Sequence, residues 1–316
     1  MEFTSYITKF SSVLLLIFLS FSSFQTTKAC HETDRAALLY FKKNIIDDGP
    51  LNRLGTWTKD TDCCTQWDGV ACDDSNGRVI NLTLPGRFLL APKEICHLHP
   101  WWEQFLHLWD FLKLRGNLKF LQKLDLSHLE RLHGSIPSQF GKLSNLTFLD
   151  LQGNKLEGPI PVSFQHLHKL NYLYLQNNLL SGRIASSIFE HTTTVLEIDF
   201  SENHLSGEIP SSVGNLVSLD RLDFHQNNFS GCIPSAIGSL KNLLWLDLSR
   251  NQISGRIPQS IGELSELQEI YLHQNRLGGS IPSSFPKLTS LIICLIQDNK
   301  LTGSIPSSIG KVRNLS

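Results

Sequence analysis

Three sets of side chains in this 316-residue chain have the types and spacing to do chemistry: a recurring aspartate, twelve histidines and seven cysteines. The histidines raise metal binding first, as the pairs His97 with His99 and His166 with His168. The second pair falls in a variable stretch between regular elements, where a solvated imidazole is the ordinary expectation, so no metal site is expected. Four cysteines, Cys30, Cys63, Cys64 and Cys72, crowd together. Their spacing is not a pair of CxxC knuckles, which argues against zinc. Adjacent Cys63 and Cys64 do not easily bond each other, so Cys30 should pair with one and Cys72 with the other, in either connectivity. The GxSxG elbow, HExxH, P-loop and GxGxxG signatures are missing, so no catalytic residue and no cofactor is nominated.

A hydrophobic content of 41% with 18% charged residues is that of a folded chain. The net charge of -1 creates no global field for nucleic acid or an anionic membrane. At the start, Lys9 precedes an apolar run from Ser11 to Phe24, and Thr26, Thr27 and Ala29 follow, so residues 1–29 read as a secretory signal peptide. The run falls short of the roughly 20 apolar residues that cross a bilayer, and no membrane span is expected. Secretion suits the cysteines. It also makes the sequons at Asn81, Asn145, Asn228 and Asn314 candidate glycosylation sites.

What positions these groups is a repeat. Asn154, Asn178, Asn203, Asn227, Asn251, Asn275 and Asn299 follow one another at spacings of 24, 25, 24, 24, 24 and 24 residues, within a unit LxxLxxLxLxxNxLxGxIPxxIG. A period this regular builds stacked units, each contacting its neighbours. Leu246 and Leu248 alternate with Trp245, Asp247 and Ser249, the period of two of a short strand with one buried face. Stacked strands make a parallel sheet. Asn251 then sits where the chain leaves the strand, and its amide both donates to and accepts from backbone groups otherwise buried unpaired. Gly255 supplies a backbone conformation or close approach barred to other residues, and Pro258 stiffens the return leg.

Strand side chains that point away from the core form columns on a concave face, where such scaffolds bind. The centre column carries Asp125, Asp150, Tyr174, Asp199, Asp223, Asp247 and Tyr271; flanking columns carry Phe148, Tyr172, Glu197, Arg221, Trp245, His225 and His273. Ten acids face three bases over eight strands, an excess that would steer a basic partner, but five of the ten belong to the repeat's own wording. Exposed aromatics are the usual anchors of protein interfaces, but stacked aromatic and hydroxyl or amide columns also suit a sugar polymer or a peptide, so side-chain chemistry does not choose between ligand classes. The nominated binding residues are Asp150, Tyr172, Tyr174, Glu197, Asp199, Asp223, His225, Trp245, Asp247, Tyr271 and His273. In the last strand Ile292, Ile293 and Leu295 make the face unusually apolar, and neither Cys232 nor Cys294 has an evident mate.

The LxGxIP wording after LxLxxN resembles the plant extracellular leucine-rich repeat, and the residues from Cys30 to Leu82, with CHETDRAALLYFK, the CC pair, WDGVAC and RVINL, resemble the N-terminal cap of those proteins. The resemblance implies an α/β solenoid: a horseshoe with a parallel concave sheet, 3-10 or irregular turns on the convex side, and a disulfide-bonded cap. The cap should hold a helix starting near Asp34, with Ala37, Leu38, Phe41 and Ile45 on its inner stripe, covering the open end of the core. The enlarged first turn, LDLSHLERLHGSIP, is similar to that of the secreted polygalacturonase-inhibiting and DNA-damage-toleration group.

The expected layout is a signal peptide at 1–29, a cap at 30–86, an irregular stretch at 87–117, and about eight repeats at 118–316 without a C-terminal cysteine cap. Residues 87–117 read either as a short helix built on Trp102, Phe105, Leu106 and Trp109 or as an artefact of the gene model. The expected protein works outside the cell or in the cell wall, binding a protein such as a pathogen polygalacturonase or a receptor. The rival expectations are a truncated receptor-like ectodomain that senses a peptide or co-receptor, and a structural wall protein that contacts pectin.

Overall fold

The computed structural model describes residues 29–45, 54–83, 118–129 and 132–312. The signal-peptide run, the stretch at 87–117 and the sequon at Asn314 lie outside the described residues. Among the described residues no helix is long and apolar enough to cross a membrane.

The cap opens with helix α1, Glu32–Ile45, which begins two residues before the expected Asp34 and carries Glu32 and Asp34 in its first turn, where acids favour the helix dipole. Leu38 is fully buried and Ala37 packs partly against the core. The side chains of Phe41 and Ile45 lie outside those described. Asp34 is also fully buried, and it docks the helix: it accepts from the Arg78 guanidinium at 2.7 and 2.9 Å and from the Val79 backbone N–H at 2.9 Å. Two disulfides settle the open connectivity as Cys30–Cys63 and Cys64–Cys72. Beneath them Trp57 and Trp67 stack at 5.1 Å between ring centroids.

The concave sheet has ten strands rather than eight, because the cap adds two. Val70–Cys72 pairs antiparallel with Val79–Thr83, which pairs in parallel with Lys123–Asp125; the sheet then runs in parallel through Phe148–Asp150, Tyr172–Tyr174, Glu197–Asp199, Arg221–Asp223, Trp245–Asp247, Glu269–Tyr271 and Ile293–Leu295. From Lys123–Asp125 onward the middle leucine or isoleucine of each strand is buried, until Cys294 takes that place in the last one and stays half-buried. Cys232 is an exposed free thiol.

Outside the strand exit, a second set of short strands that the sequence did not announce covers the LxGxI wording: five strands from His133–Ser135 to Asn228–Ser230, and three from Ser254–Arg256 to Lys300–Leu301. Gly255 lies there at φ +74°, a left-handed conformation that a side chain disfavours. After the proline each coil makes a 3-10 turn, such as Ser235–Ser239 and Gln259–Glu263, as expected for the convex side. Gly238 is required for a different reason: a Cβ on it would stand 2.6 Å from the Ser260 carbonyl of the next coil.

The asparagine ladder connects these parts. The Asn203 amide donates to the carbonyls of Phe200 and Ser201 in its own coil and of Leu175 in the preceding one, and its oxygen accepts from Leu180 N–H at 2.9 Å. Asn227 and Asn251 repeat the pattern. Replacing Asn203 with alanine strands these buried groups, each of which costs about 1–3 kcal/mol unpaired. Urea unfolding should therefore show a loss of about 2–4 kcal/mol. Asn242, whose side chain is exposed and donates only to Val217 O, should tolerate alanine with under about 1 kcal/mol of change.

Candidate functional site

The sheet register brings the nominated residues together as two aromatic clusters around a carboxylate column. On the N-terminal side Phe148, Tyr172 and Tyr174 come from adjacent strands, with ring centroids 5.7 Å (Phe148 to Tyr174), 5.9 Å (Phe148 to Tyr172) and 6.3 Å (Tyr172 to Tyr174) apart. The Lys123 ammonium lies 4.6 Å from the centre of Phe148. Tyr174 donates its hydroxyl to Glu197 at 2.7 Å, and burial together with that bond pushes its pKa well up. Gln176 donates to Gln152 at 2.9 Å beside them.

The C-terminal cluster is built the same way. Trp245 and Tyr271 pack at 4.9 Å, His273 meets Tyr271 edge-on at 6.4 Å, and the Arg221 guanidinium covers Trp245 at 4.4 Å. Tyr271 donates to Glu269, and burial first, then that acid, raises it to about 12. All of these rings remain half-buried and reachable from the concavity. Three buried polar atoms on this face, Gln176 Oε1, Trp245 Nε1 and His273 Nδ1, have no hydrogen-bond partner among the described residues. Each such atom costs about 1–3 kcal/mol unless something bonds it.

The centre column behaves otherwise. Asp150, Asp199, Asp223 and Asp247 sit at the expected register on the concave side but are 6%, 9%, 2% and 9% exposed. Adjacent strands lie so close that flanking side chains cover them. Each accepts from the backbone N–H two residues on: Gln152, Ser201, His225 and Ser249 respectively. The buried aspartates of the repeat thus work as scaffold, and the acids left near the surface are Asp125, Glu197, Glu202, Asp220, Glu269 and Asp298, of which Glu197 and Glu269 are tied to tyrosines. Burial raises the pKa of Asp150 and Asp247; burial and the facing Asp223 push Asp199 up to about 6. His225, held at 2.8 Å by Asp223, is raised by that bond.

Phe148, Lys123 and Arg221 complete the two clusters but were not nominated from the sequence. The signal was present: Phe148 and Arg221 each lie one 24-residue step from a nominated aromatic of the same column, Tyr172 and Trp245, and Lys123 lies one 25-residue step from Phe148. Among the sequons, Asn228 is exposed, whereas Asn145 donates its amide to Lys119 O at 2.8 Å and Asn81 is half-buried on the sheet, accepting from Thr83. The last strand leaves Ile292 exposed, with Ile293 and Leu295 half-buried.

A one-coil-per-repeat parallel solenoid with a capped end and a variable concave face defines a recognition scaffold. Residues 31–73 match the leucine rich repeat N-terminal domain, and 119–180, 194–216 and 218–277 match the leucine rich repeat; the chain belongs to the plant leucine-rich-repeat proteins with that N-terminal cap. It is similar to the DNA damage-repair/toleration protein DRT100 of Arabidopsis thaliana, 33% identical over 147 residues, covering 46% of this chain and 37% of that protein. The ectodomain of the Arabidopsis thaliana receptor kinase GASSHO1/SCHENGEN3, solved in complex with CASPARIAN STRIP INTEGRITY FACTOR 2, superposes with a TM-score of 0.74 at 30% identity, over 88% of this chain and 31% of that one. A plant ice-binding protein superposes with a TM-score of 0.63 at 27% identity, over 89% of this chain and 90% of its own. The chain therefore spans well under two thirds of the first two relatives.

The buried column yields a pH dependence. A carboxyl raised from 3.8 to about 6 binds more protons folded than unfolded between those values, so its contribution makes stability fall as pH rises through that window. Asp223 and Arg221 face Asp199 with opposite effects, and His225, raised in the fold, loses its own contribution in the same direction. Asp199→Asn keeps an acceptor for Ser201 and removes the titration. Thermal unfolding should show parent and variant alike near pH 4, with the variant more stable by on the order of 1–3 kcal/mol at pH 7. A constant gap across that range would refute the assignment.

Proposed function

We propose that the protein is a secreted, non-catalytic binding protein that recognises a protein partner through its concave face, with the two aromatic clusters as anchors. The observation that carries this reading is the pairing of half-buried, mutually packed rings with buried polar atoms that no described residue satisfies. Tyrosine and tryptophan with an arginine beside them are the composition of interface hot spots. The first partner class to test is a cell-wall-degrading enzyme such as a pathogen polygalacturonase, in plant defence, which the enlarged first turn suggests. Exposed Asn228 is the sequon this reading expects to carry glycan.

A second reading is an ectodomain that senses a peptide, as part of a receptor-like protein. It is favoured by the superposition of 88% of the chain on a receptor kinase ectodomain solved with its bound factor. Both readings use the same face. A structural wall protein would instead show salt-sensitive retention on pectin and no saturable protein partner.

The test is a binding panel of fungal polygalacturonases and synthetic secreted peptides against the immobilised protein. A saturable partner should lose about 10- to 30-fold in affinity with Trp245→Ala or Tyr172→Ala, since truncating an anchor ring costs about 1.4–2 kcal/mol. The unfolding temperature should change little, because both side chains stand on the surface side of the sheet. Undiminished binding by both variants would move the site elsewhere.

A further inference from the structure

We propose that Asp223, His225 and Asp247 form a site for one divalent transition-metal ion of the Zn2+ or Mn2+ class on the concave face. One ligand atom from each of the three lies within 4.8 Å of the others. Ligands bonded tetrahedrally to one ion at about 2.0–2.2 Å stand about 3.3–3.6 Å apart, so side-chain adjustment of about an ångström assembles the set. His225 Nδ1 and Asp223 Oδ1 are already 2.8 Å apart, the spacing of neighbouring ligands on one ion.

The backbone preorganises the three groups. Asp223 and Asp247 are register partners on adjacent parallel strands. The Ser249 N–H holds Asp247 Oδ1 at 2.8 Å, and the His225 N–H holds Asp223 Oδ1 at 3.2 Å. Such outer bonds fix the direction of ligating carboxylates. Arg221 occupies Asp223 Oδ2 at 2.7 Å, which leaves Oδ1 facing the imidazole. When Nδ1 turns its lone pair to the ion, the ring proton resides on Nε2, which faces the Glu202 carboxylate at 3.7 Å, within ion-pair range. Nothing is oxidised or reduced.

Charge and sequence point the same way. Asp199, Asp223 and Asp247 stack on three successive strands with Glu202 at the rim, and the fixed cation among them is Arg221. Burying carboxylate charge without a counter-charge is expensive, and a divalent ion supplies one. An imidazole two residues after the column's aspartate is a departure from the repeat: the position of His225 is Ser127, Gln152, Gln176, Ser201, Ser249 and Gln297 in other coils, and His273, which shares it, follows Tyr271 instead of an aspartate. The scaffold bond to the preceding aspartate needs only the backbone N–H, so the fold does not require histidine there. Its ring keeps 25% of its surface exposed, which leaves an entry path from the concavity.

The two other clusters of metal-binding side chains fit less well. Cys30, Cys63 and Cys64 are committed to disulfides. His166, His168 and His191 form an exposed row with successive ring centroids 6.3 Å apart, and serve as the control for adventitious chelation.

Calorimetric titration of Zn2+ and of Mn2+ into the full chain at pH 7 tests the site. One equivalent should bind saturably, and His225→Ser and Asp247→Asn should each weaken binding at least about tenfold. Without metal neither variant is expected to unfold below the parent temperature, because serine is the repeat's own residue and asparagine keeps the bond from Ser249 while removing a carboxylate whose burial is unfavourable. Replacing His166, His168 and His191 together with alanine should leave binding unchanged. The proposal is overturned if neither ion binds saturably, if His225→Ser binds as the parent does, or if the triple variant abolishes binding.

Discussion

The structure depends on what happens to the backbone where each coil leaves the concave strand. There the chain turns under the core, and its N–H and C=O groups can pair neither with the strand ladder nor with water. An asparagine at that point donates to carbonyls in two coils and accepts an N–H from the preceding one. No other side chain of that length does both, which is why the residue recurs where neighbouring positions drift. The residue just before it takes a left-handed conformation, with φ between 52 and 55° at Glu202, Gln226, Arg250, Gln274 and Asp298, and this strain of about 1 kcal/mol per non-glycine residue is tolerated because the amide bonds over-determine the turn.

Where the ladder begins, its logic shows by exception. Leu129 takes the asparagine place in the first repeat and turns into the core, and the loop that follows carries one extra residue. Leu132 N–H consequently bonds Leu129 O instead of the next asparagine, and Asn154 Oδ1 is left without a partner among the described residues. The first coil is held by other means. Gln122 N–H reaches back to Ile80 in the cap strand, and Asp34 ties the helix above that strand through Arg78 and Val79.

This division explains what was legible in the sequence. Leucine spacing and the asparagine period specify strands, register and the membership of each concave column, because those features repeat. The connectivity of Cys63 and Cys64 was not legible: the two are adjacent in sequence, and only the direction in which each faces the helix or the strand separates them. The outer short strands were hidden because their residues serve as a glycine-proline punctuation, without the alternation that marks a half-buried strand. The role of the aspartates was misjudged in degree. Pleat parity places Asp199 and Asp223 on the concave side, but parity does not say that neighbours one strand away will cover them, or that the backbone N–H two residues on will claim one oxygen.

Locked register also determines what the concave face can discriminate. Because like positions stack at the strand spacing, Tyr172 and Trp245, three strands apart, are separated by about 14 Å across the sheet. An extended polypeptide covers that distance in about four residues at ~3.3 Å each. A single sugar ring or a small metabolite engages one cluster and leaves the other, with its unpaired Trp245 Nε1 and His273 Nδ1, unsatisfied. Between the clusters lies the carboxylate column, whose four buried aspartates are covered by flanking side chains and offer a ligand little direct contact. In the proposed recognition, discrimination would therefore rest on the separation of two anchors and on the polar atoms beside them.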